Sequence, residues 1–133
     1  MDGVAGVLES ALYYPHAQRD DVLAFYEERL GMRQVASWDN GCAYRLGPGV
    51  LLLFDLELLA GQGGPVSDHG AAPCGHVCIL AEPGNYDAVR ERLEAAGVEI
   101  THDHDWPKGG RSFYFKDPAG NLLEVADSDL WPD

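Results

Sequence analysis

The chain has 133 residues, enough for one domain with a hydrophobic core, and 46% of them are hydrophobic and 23% charged. Its 9 lysines and arginines stand against 22 aspartates and glutamates, which gives a formal net charge of -13 at pH 7. This excess of acidic residues argues against binding to nucleic acid or to an anionic membrane surface, because both need cationic side chains. No apolar run is long enough to span a membrane, and the N-terminus lacks the basic start and apolar core of a signal peptide, so we expect a cytoplasmic protein.

The cysteines are consistent with a reducing compartment. Cys42, Cys74 and Cys78 lack the spacing of a zinc finger, and a disulfide between any two of them leaves the third unpaired. We therefore expect reduced, small side chains of the kind that packs in a core.

The first half of the chain predicts one strand, one helix and three more strands. Residues 6–14 have the alternation of a strand, with Glu9 on one of its faces. Residues 20–30 have an apolar stripe at helical spacing, acidic residues in the first turn and Gly31 after the last turn. Three short strands, separated by glycine-containing turns, are then predicted at residues 33–37, 42–46 and 50–55.

The second half repeats this order after a long connection. Residues 56–73 have no clear periodicity, and a connection of that length is usually functional or links two halves. The elements that follow are a strand at 75–81, a helix at 85–96, a strand that begins at 98–101, and a hairpin with strands at 112–115 and 121–126. The hairpin turn has strong turn chemistry, because proline presets φ and glycine tolerates positive φ in Asp117-Pro118-Ala119-Gly120.

The repeat can be followed at the level of single residues. Counting back from the glycine that ends each helix gives Glu9 in the first strand and His76 in its second copy. Aligning the two closing hairpins places Glu124 opposite Leu52. A repeat of this length indicates two copies of one supersecondary unit, so the sequence predicts a single domain with modules at residues 6–57 and 74–128.

Glu9, His76 and Glu124 are each the single ionisable residue in the core of an otherwise apolar strand. If the first and last strands of each module face one cavity, these three side chains converge there. One histidine and two glutamates are suitable ligands for a divalent metal, and three protein ligands leave coordination positions open for a substrate. Taken singly, each residue also has a plainer interpretation, as a solvated glutamate on a wet face or as a histidine hydrogen-bonded within a core.

Four segments carry a resemblance to a known family: LESALYY, AFYEERLGM, GHVCIL and GGRSFYFKDPAGNLLEVAD. With them the chain resembles the vicinal oxygen chelate superfamily of glyoxalases, bleomycin-resistance proteins and ring-cleaving (extradiol) dioxygenases. The resemblance implies an α+β fold in which two βαβββ modules form a cupped mixed sheet around a divalent metal. It also implies a lyase, isomerase or dioxygenase that acts on a small-molecule substrate with adjacent oxygens. Members of this family usually form a homodimer, often with the cup shared between subunits.

The resemblance further implies a ligand set. The family's metal ligands come from the first and last strands of each module, which places three of them at Glu9, His76 and Glu124. The fourth position falls on Leu52, which cannot bind a metal. Glyoxalase I fills all four positions, whereas ring-cleaving dioxygenases and fosfomycin-resistance thioltransferases fill three. An oxygen-rich set favours Mn²⁺, Fe²⁺ or Mg²⁺, while Ni²⁺, Co²⁺ and Zn²⁺ stay open.

Two other functions stay open at this point. Bleomycin-resistance members sequester a small molecule without metal, but they lack the ligands that this chain retains. The stretch SFYF…DPAGN..E is similar to the fosfomycin-resistance thioltransferases, whose substrate-contacting tyrosine matches Tyr114. Those enzymes carry a basic residue shortly after the last-strand glutamate, and this chain instead has Asp127-Ser128-Asp129-Leu130-Trp131.

Three residues are candidates for substrate binding. Tyr114 is the candidate to hydrogen-bond the chelated substrate and, with Glu124, to take part in catalysis, although a tyrosine simply packed in the cup is the alternative. His69 lies in the long connection and could reach the mouth of the cup, or could simply be an exposed loop histidine. Arg111, beside two glycines, could bind a substrate carboxylate or only pair with a surface acid. His102 and His104 alternate near a strand end, and the sequence assigns them no role.

Overall fold

The structure is a computed structural model that describes residues 2–3, 7–60, 70 and 74–130. Its first half contains β1 (Glu9–Tyr14), a 3-10 turn (His16–Gln18), α1 (Arg19–Ala24), a π-helical turn (Phe25–Arg29), β2 (Arg33–Trp38), β3 (Gly41–Leu46), β4 (Gly49–Asp55) and α2 (Leu56–Leu59). Its second half contains β5 (His76–Leu80), α3 (Tyr86–Ala95), β6 (His102–Asp105), β7 (Arg111–Lys116) and β8 (Leu122–Ala126).

The strands form two four-stranded sheets with the same topology. Their strand orders are β1-β4-β3-β2 and β5-β8-β7-β6, and in each sheet the first and last strands of the half are parallel while the other pairs are antiparallel. Two mixed sheets with helices packed on them are the predicted α+β fold, which is therefore confirmed.

The sheet register supports the residue equivalence found in the sequence. In the first sheet Ala11 pairs with Leu52, and in the second Cys78 pairs with Glu124. Ala11 and Cys78 each lie two residues after Glu9 and His76, respectively. Glu9 and His76 thus occupy corresponding places on the first strands of the two sheets. Leu52 and Glu124 occupy corresponding places on the last strands.

One hydrophobic core serves both halves. The apolar stripe of the first helical segment is buried, with Val22 and Tyr26 at 0% exposure. The Phe25 ring of the same segment lies 6.3 Å from the Phe115 ring of the second sheet. Burying each such large side chain contributes roughly 1.5–3 kcal/mol. Because the helices cover only one face of each sheet, the alternate side chains of the strands remain on an open face.

The turn between β7 and β8 connects the two halves through buried hydrogen bonds. Asp117 accepts a hydrogen bond from the Tyr26 hydroxyl at 2.9 Å and another from Asn121 Nδ2 at 2.8 Å. Asn121, which is 1% exposed, also donates to the Tyr13 carbonyl at 3.0 Å and accepts from the Gly75 amide at 2.8 Å. We call these five residues the turn clasp. It joins the first helical segment and the edge strand β1 to the second sheet.

The helices agree with the predicted spans but differ in one detail. The helix predicted at 20–30 is present, but it continues from α1 as a π-helical turn, in which the Leu30 amide donates to the Phe25 carbonyl at 3.0 Å. Gly31 and Gly97 have φ of 70° and 85°, so the left-handed conformation that glycine adopts most readily ends both helical segments.

Two expectations about secondary structure need correction. The connection predicted at 56–73 begins with the short helix α2, because the Asp55 side chain accepts hydrogen bonds from the amides of Glu57 and Leu58 at 3.1 Å and caps it. The strand expected from 98–101 begins instead at His102.

The three cysteines differ in their exposure. Cys42 is buried as expected, but Cys74 and Cys78 are exposed, and all three thiols are free. The expectation of core-type cysteines is therefore wrong for two of them.

Within the described ranges, no helix is long and apolar enough to cross a membrane.

Candidate functional site

A row of polar side chains crosses the open face of the second sheet. Directly paired residues on neighbouring strands project from the same face, and the pairing runs from Cys78 to Glu124, then to Tyr114 and His102. His76 lies two residues before Cys78 and so shares this face. The register of β5, β8, β7 and β6 thus places two predicted ligands and the predicted substrate-binding tyrosine on one surface.

His76 and Glu124 are in direct contact. The Nε2 atom of His76 lies 3.3 Å from Oε2 of Glu124, and the two side chains are 47% and 7% exposed. On the other side of the imidazole ring, Nδ1 lies 2.9 Å from the Leu122 carbonyl oxygen. A carbonyl can only accept, so Nδ1 carries a proton, and Nε2 is the ring nitrogen that faces the carboxylate.

Glu124 is the most constrained member of the row. Its Oε1 atom is buried and has no hydrogen-bond partner among the described residues. A buried carboxylate oxygen without a partner is costly, and so would be an Nε2 lone pair that faced the carboxylate. A cation between the two groups, either a proton on Nε2 or a metal ion, relieves both conditions.

The neighbours of Glu124 are held in their protonated forms. Burial first, and the Glu124 carboxylate second, raise the pKa of Tyr114 to about 12. Partial shielding of the thiol from water and the same carboxylate raise the pKa of Cys78 to about 12, although the residue as a whole is exposed. The Tyr114 hydroxyl is therefore a hydrogen-bond donor at neutral pH, and the Cys78 thiol is not a thiolate nucleophile.

The first sheet does not bring Glu9 to this row within one chain. Glu9 is exposed at the start of β1 and lines a shallow cavity of about 240 Å³ that Val77 and Cys78 also line. No group of three or more metal-ligating side chains occurs in the part of the chain that the structure describes. The structure thus brings together His76 and Glu124, and leaves Glu9 apart from them.

Arg111 lies on the other face of the second sheet. Its Nη2 is 3.0 Å from Asp87 Oδ1, its Nε is 3.4 Å from Asp127 Oδ2, and its guanidinium carbon lies 4.5 Å from the centre of the Tyr86 ring. On β7 it alternates with Ser112 and so projects away from Tyr114. It is engaged by its own chain, away from the polar row. His69, the other candidate for substrate binding, lies outside the described residues.

The sequence interpretation missed an aromatic extension of the row. The His102 ring lies 5.8 Å from the Tyr114 ring, and the His104 ring lies 4.5 Å from the Trp106 ring in an edge-to-face contact. Trp106 is fixed in turn by a 2.9 Å hydrogen bond from Nε1 to Ser112 Oγ. The alternation of His102 and His104 was visible in the sequence, but their place beside Tyr114 depends on a cross-strand register.

The donor set of the row fits a divalent metal ion. Two ligand atoms that each lie about 2.1 Å from one ion, with an angle near 90–110° at the ion, are about 3.0–3.4 Å apart. The 3.3 Å distance between His76 Nε2 and Glu124 Oε2 falls in this range. A backbone carbonyl that fixes the far nitrogen of a histidine is the usual second partner of a metal-bound imidazole. The unpartnered Glu124 oxygen adds a negative charge that such an ion would neutralise.

Comparison with known proteins defines the family. The family model Glyoxalase/Bleomycin resistance protein/Dioxygenase superfamily matches residues 15–125. The crystal structure of lactoylglutathione lyase from Agrobacterium tumefaciens is 32% identical, with a TM-score of 0.87 over 99% of this chain and 100% of that one. Glutathione transferase FosA from Serratia marcescens is 31% identical over 104 residues, which are 77% of this chain and 68% of that protein.

A more distant structure shares the fold. TioX from Micromonospora sp. ML1 is 21% identical, with a TM-score of 0.70 over 92% of this chain and 98% of that one. The chain therefore belongs to the glyoxalase/bleomycin resistance protein/dioxygenase superfamily, as the sequence resemblance indicated.

Proposed function

We propose that this protein is a divalent-metal-dependent enzyme, a lyase, isomerase or dioxygenase, that acts on a small molecule with adjacent oxygens and works in the cytoplasm. The observation that carries the proposal is the contact of His76 Nε2 with Glu124 Oε2 at 3.3 Å, next to a buried Glu124 oxygen without a partner. The two groups need a cation between them, and a divalent metal ion bound by both is the cation that also leaves coordination positions open for a substrate.

His76 and Glu124 would hold the metal on the open face of the second sheet, where His76 is half exposed and so leaves one side accessible to substrate. When bound, a divalent ion acts as a Lewis acid that polarises the chelated oxygens of a substrate. Tyr114, protonated at neutral pH, would donate a hydrogen bond to one of those oxygens. Glu124 would accept a substrate proton on the oxygen that lacks a partner.

Glu9 would complete the site from a second copy of the chain. It lies at the exposed start of β1, and within one chain it forms no group with the other two ligands. A homodimer that faces the open side of the first sheet of one subunit towards the second sheet of its partner brings Glu9 to His76 and Glu124. This arrangement also covers open sheet faces that a monomer leaves exposed.

The metal content of the protein purified without chelators tests the proposal. We expect close to one divalent ion per chain by elemental analysis, and a marked loss of bound metal in His76→Ala. If the wild-type protein binds no stoichiometric metal and His76→Ala behaves identically in all assays, the enzyme proposal fails.

Mixing two inactive variants tests the shared site. Glu9→Ala and His76→Ala each remove one ligand, but a mixed dimer contains one site in which Glu9 and His76 are both native. Random mixing should therefore restore metal binding at about a quarter of the sites. A monomer in light scattering, or no restoration on mixing, contradicts the shared site without touching the His76–Glu124 pair.

A metal-free binding protein of the bleomycin-resistance type is the second candidate. The observation in its favour is that the described part of the chain contains no group of three ligating side chains. In that case the cup holds a small molecule, and His76 and Glu124 form an ordinary ion pair. Metal analysis separates the two functions, because only the first predicts a stoichiometric ion.

A glutathione-dependent reaction is the third candidate. The names of two relatives, lactoylglutathione lyase and glutathione transferase FosA, both refer to glutathione. Against it, Leu52 occupies the fourth ligand position, and the segment after Glu124 is acidic where the fosfomycin-resistance thioltransferases are basic. Assays with methylglyoxal plus glutathione, and with fosfomycin plus glutathione, should show no turnover above the uncatalysed rate if the first candidate is correct.

A further inference from the structure

Four rings follow one another along the open face of the second sheet. The ring centres of Tyr114 and His102 are 5.8 Å apart, and those of His102 and His104 are 6.1 Å apart. The ring of Trp106 lies 4.5 Å from that of His104. We call His102, His104 and Trp106 the aromatic strip. Tyr114 connects this strip to the candidate metal site, because it pairs with His102 on one side and with Glu124 on the other.

The register places the aromatic strip on the same face of the sheet as the metal site. His102 pairs with Tyr114. His104 pairs with Ser112, which lies two residues from Tyr114 on β7 and so shares its face. Trp106 reaches this face as well, since its Nε1 donates to Ser112 Oγ at 2.9 Å. A ligand bound at the metal site can therefore extend along the strip without crossing the sheet.

The protein itself does not use the imidazole nitrogens of the strip. Within the described residues, no hydrogen bond joins a ring nitrogen of His102 or His104 to another group. His102 is exposed, and His104 and Trp106 are partly exposed. On the other face of the same strand, by contrast, Asp103 is already paired with Arg90. The open side of β6 thus offers a ligand both aromatic surface and hydrogen-bonding nitrogens.

The spacing of the strands sets the length of a ligand that uses both places. β7 lies between β8 and β6, and neighbouring strands are about 4.8 Å apart, so Glu124 and His102 are separated by about 10 Å. A single ring that itself carries the two adjacent oxygens would stay beside Tyr114. A ligand reaches the strip only if it has an aromatic part beyond the group that chelates the metal.

We propose that the aromatic strip binds an aromatic ring at the end of the substrate remote from its adjacent oxygens, an inference that rests on the proposed metal-dependent function. Contacts between aromatic rings are favourable beyond the area that they bury. The histidine nitrogens can also pair with polar substituents on such a ring. A saturated chain would cover these nitrogens without pairing them, and it suits the strip less well. The substrate is thereby narrowed to an elongated aryl or bicyclic compound with two adjacent oxygens at one end.

A series of hydroxamates tests the proposal on the metal-loaded protein. Acetohydroxamate, benzohydroxamate and naphthohydroxamate present the same two adjacent oxygens to a metal ion but differ in the ring attached to them. In calorimetric titrations, we expect naphthohydroxamate to bind at least about tenfold more tightly than acetohydroxamate. Decahydronaphthohydroxamate, which has a saturated bicycle in place of the aromatic one, should bind several-fold more weakly than naphthohydroxamate.

Variants of the strip connect this preference to particular side chains. Trp106→Ala should weaken naphthohydroxamate binding by about tenfold and leave acetohydroxamate binding within about twofold. Trp106→Phe keeps a ring and should retain most of the affinity, while His104→Ala should have a smaller effect in the same direction as Trp106→Ala. Asp105→Ala is the matched control. It changes the same strand on the opposite face and should leave every affinity within about twofold.

The outcomes separate this proposal from the metal site itself. If no hydroxamate binds, the metal-dependent function is contradicted and the present inference falls with it. If all hydroxamates bind equally well, the metal site stands and the strip is not a substrate subsite. The strip has only a structural role if Trp106→Ala lowers stability in urea without changing the preference for naphthohydroxamate. If Trp106→Ala instead converts a dimer into a monomer with that preference unchanged, a second copy of the chain is the occupant and the proposal is overturned.

Discussion

The two sheets share one topology but carry different chemistry on their open faces. In the first sheet the row that corresponds to Cys78 and Glu124 consists of Ala11 and Leu52, and beside it the rings of Tyr13 and Phe54 stack at 6.1 Å. At the place of Leu52 the second sheet carries the carboxylate of Glu124, which lies beside the His76 imidazole and the Tyr114 phenol. The two sheets thus keep the same register, while only the second has a carboxylate at this position of its last strand.

The largest difference should appear when these corresponding positions are changed in parallel. Glu124→Ala should weaken metal binding by more than about 100-fold, because a ligand contributes more than the surrounding groups that orient it. Leu52→Ala, its counterpart in the first sheet, should leave metal binding within about twofold. Metal affinity measured with a competing chelator checks both values. Equal losses in the two variants would mean that the sheets are not specialised as described.

The two β-hairpins that close the halves should differ almost as much in stability. Asn121→Ala removes the side chain at the centre of the turn clasp and leaves buried partners unpaired, so the free energy of unfolding should fall by about 2–3 kcal/mol. Pro48→Ala, in the corresponding turn of the first half, should cost less than about 1 kcal/mol. Urea denaturation of both variants measures the difference, and a loss at Pro48 as large as that at Asn121 would contradict the special role of the clasp.

The ends of the two last strands should respond to pH in opposite directions. In the first half, His16 Nδ1 lies 2.6 Å from the buried carboxylate of Asp55, and this hydrogen bond raises the pKa of His16 above the ordinary histidine value of 6.5. The stabilisation is complete below that value and is lost as pH rises through the raised pKa. His16→Asn should therefore reduce the dependence of stability on pH between the ordinary histidine pKa of about 6.5 and the raised pKa of His16. The role of His16 would be contradicted if the stability of the wild-type protein rose over this pH range, or if the variant showed the same pH dependence as the wild type.

Asp127 supplies the opposite behaviour in the second half. Hydrogen bonds, first from the Arg111 amide and then from the Ser128 hydroxyl and the Arg111 side chain, lower the pKa of its carboxyl below 3.8. Its stabilisation is present above that value and disappears as pH falls through the lowered pKa. Asp127→Asn should lower the free energy of unfolding at neutral pH and make no difference once the pH has fallen below the lowered pKa of the Asp127 carboxyl. Acid denaturation curves of the two proteins provide the comparison.

The smallest effect should come from Arg111, on the helix side of the second sheet. Its ion pairs with Asp87 and Asp127 are solvent-exposed, so Arg111→Ala should cost no more than about 1 kcal/mol of stability. It should leave metal affinity unchanged, in contrast to Glu124→Ala on the opposite face. A loss of substrate affinity in Arg111→Ala with unaltered stability would instead support a role of Arg111 in substrate binding.

Much of the fold was predictable from local patterns. The apolar stripe around Val22 and Tyr26, the glycines after both helices and the turn chemistry at Asp117-Pro118 each specify an element with little help from tertiary contacts. The match between Leu52 and Glu124 also followed from sequence spacing alone, and the sheet register gives the same correspondence.

The details that were missed depend on contacts between distant segments. The start of β6 at His102 is set by its pairing with Tyr114, and no local pattern around Val98 reports it. The sequence left open whether Arg111 binds substrate or pairs with a surface acid, because its contact with Asp87 depends on a helix that passes over the sheet. The separation of Glu9 from His76 depends on how two sheets pack, which a periodicity in one strand cannot show.

The turn clasp also bears on the order in which the protein folds. Asn121 hydrogen-bonds to Tyr13, 108 positions earlier in the chain, and to Gly75, 46 positions earlier. Contacts of such long range form only after the entropy of closing a large loop has been overcome, and they form late when local helices and hairpins are already in place. Each half should therefore acquire its own sheet first, and their association should be the slow step that Asn121→Ala retards.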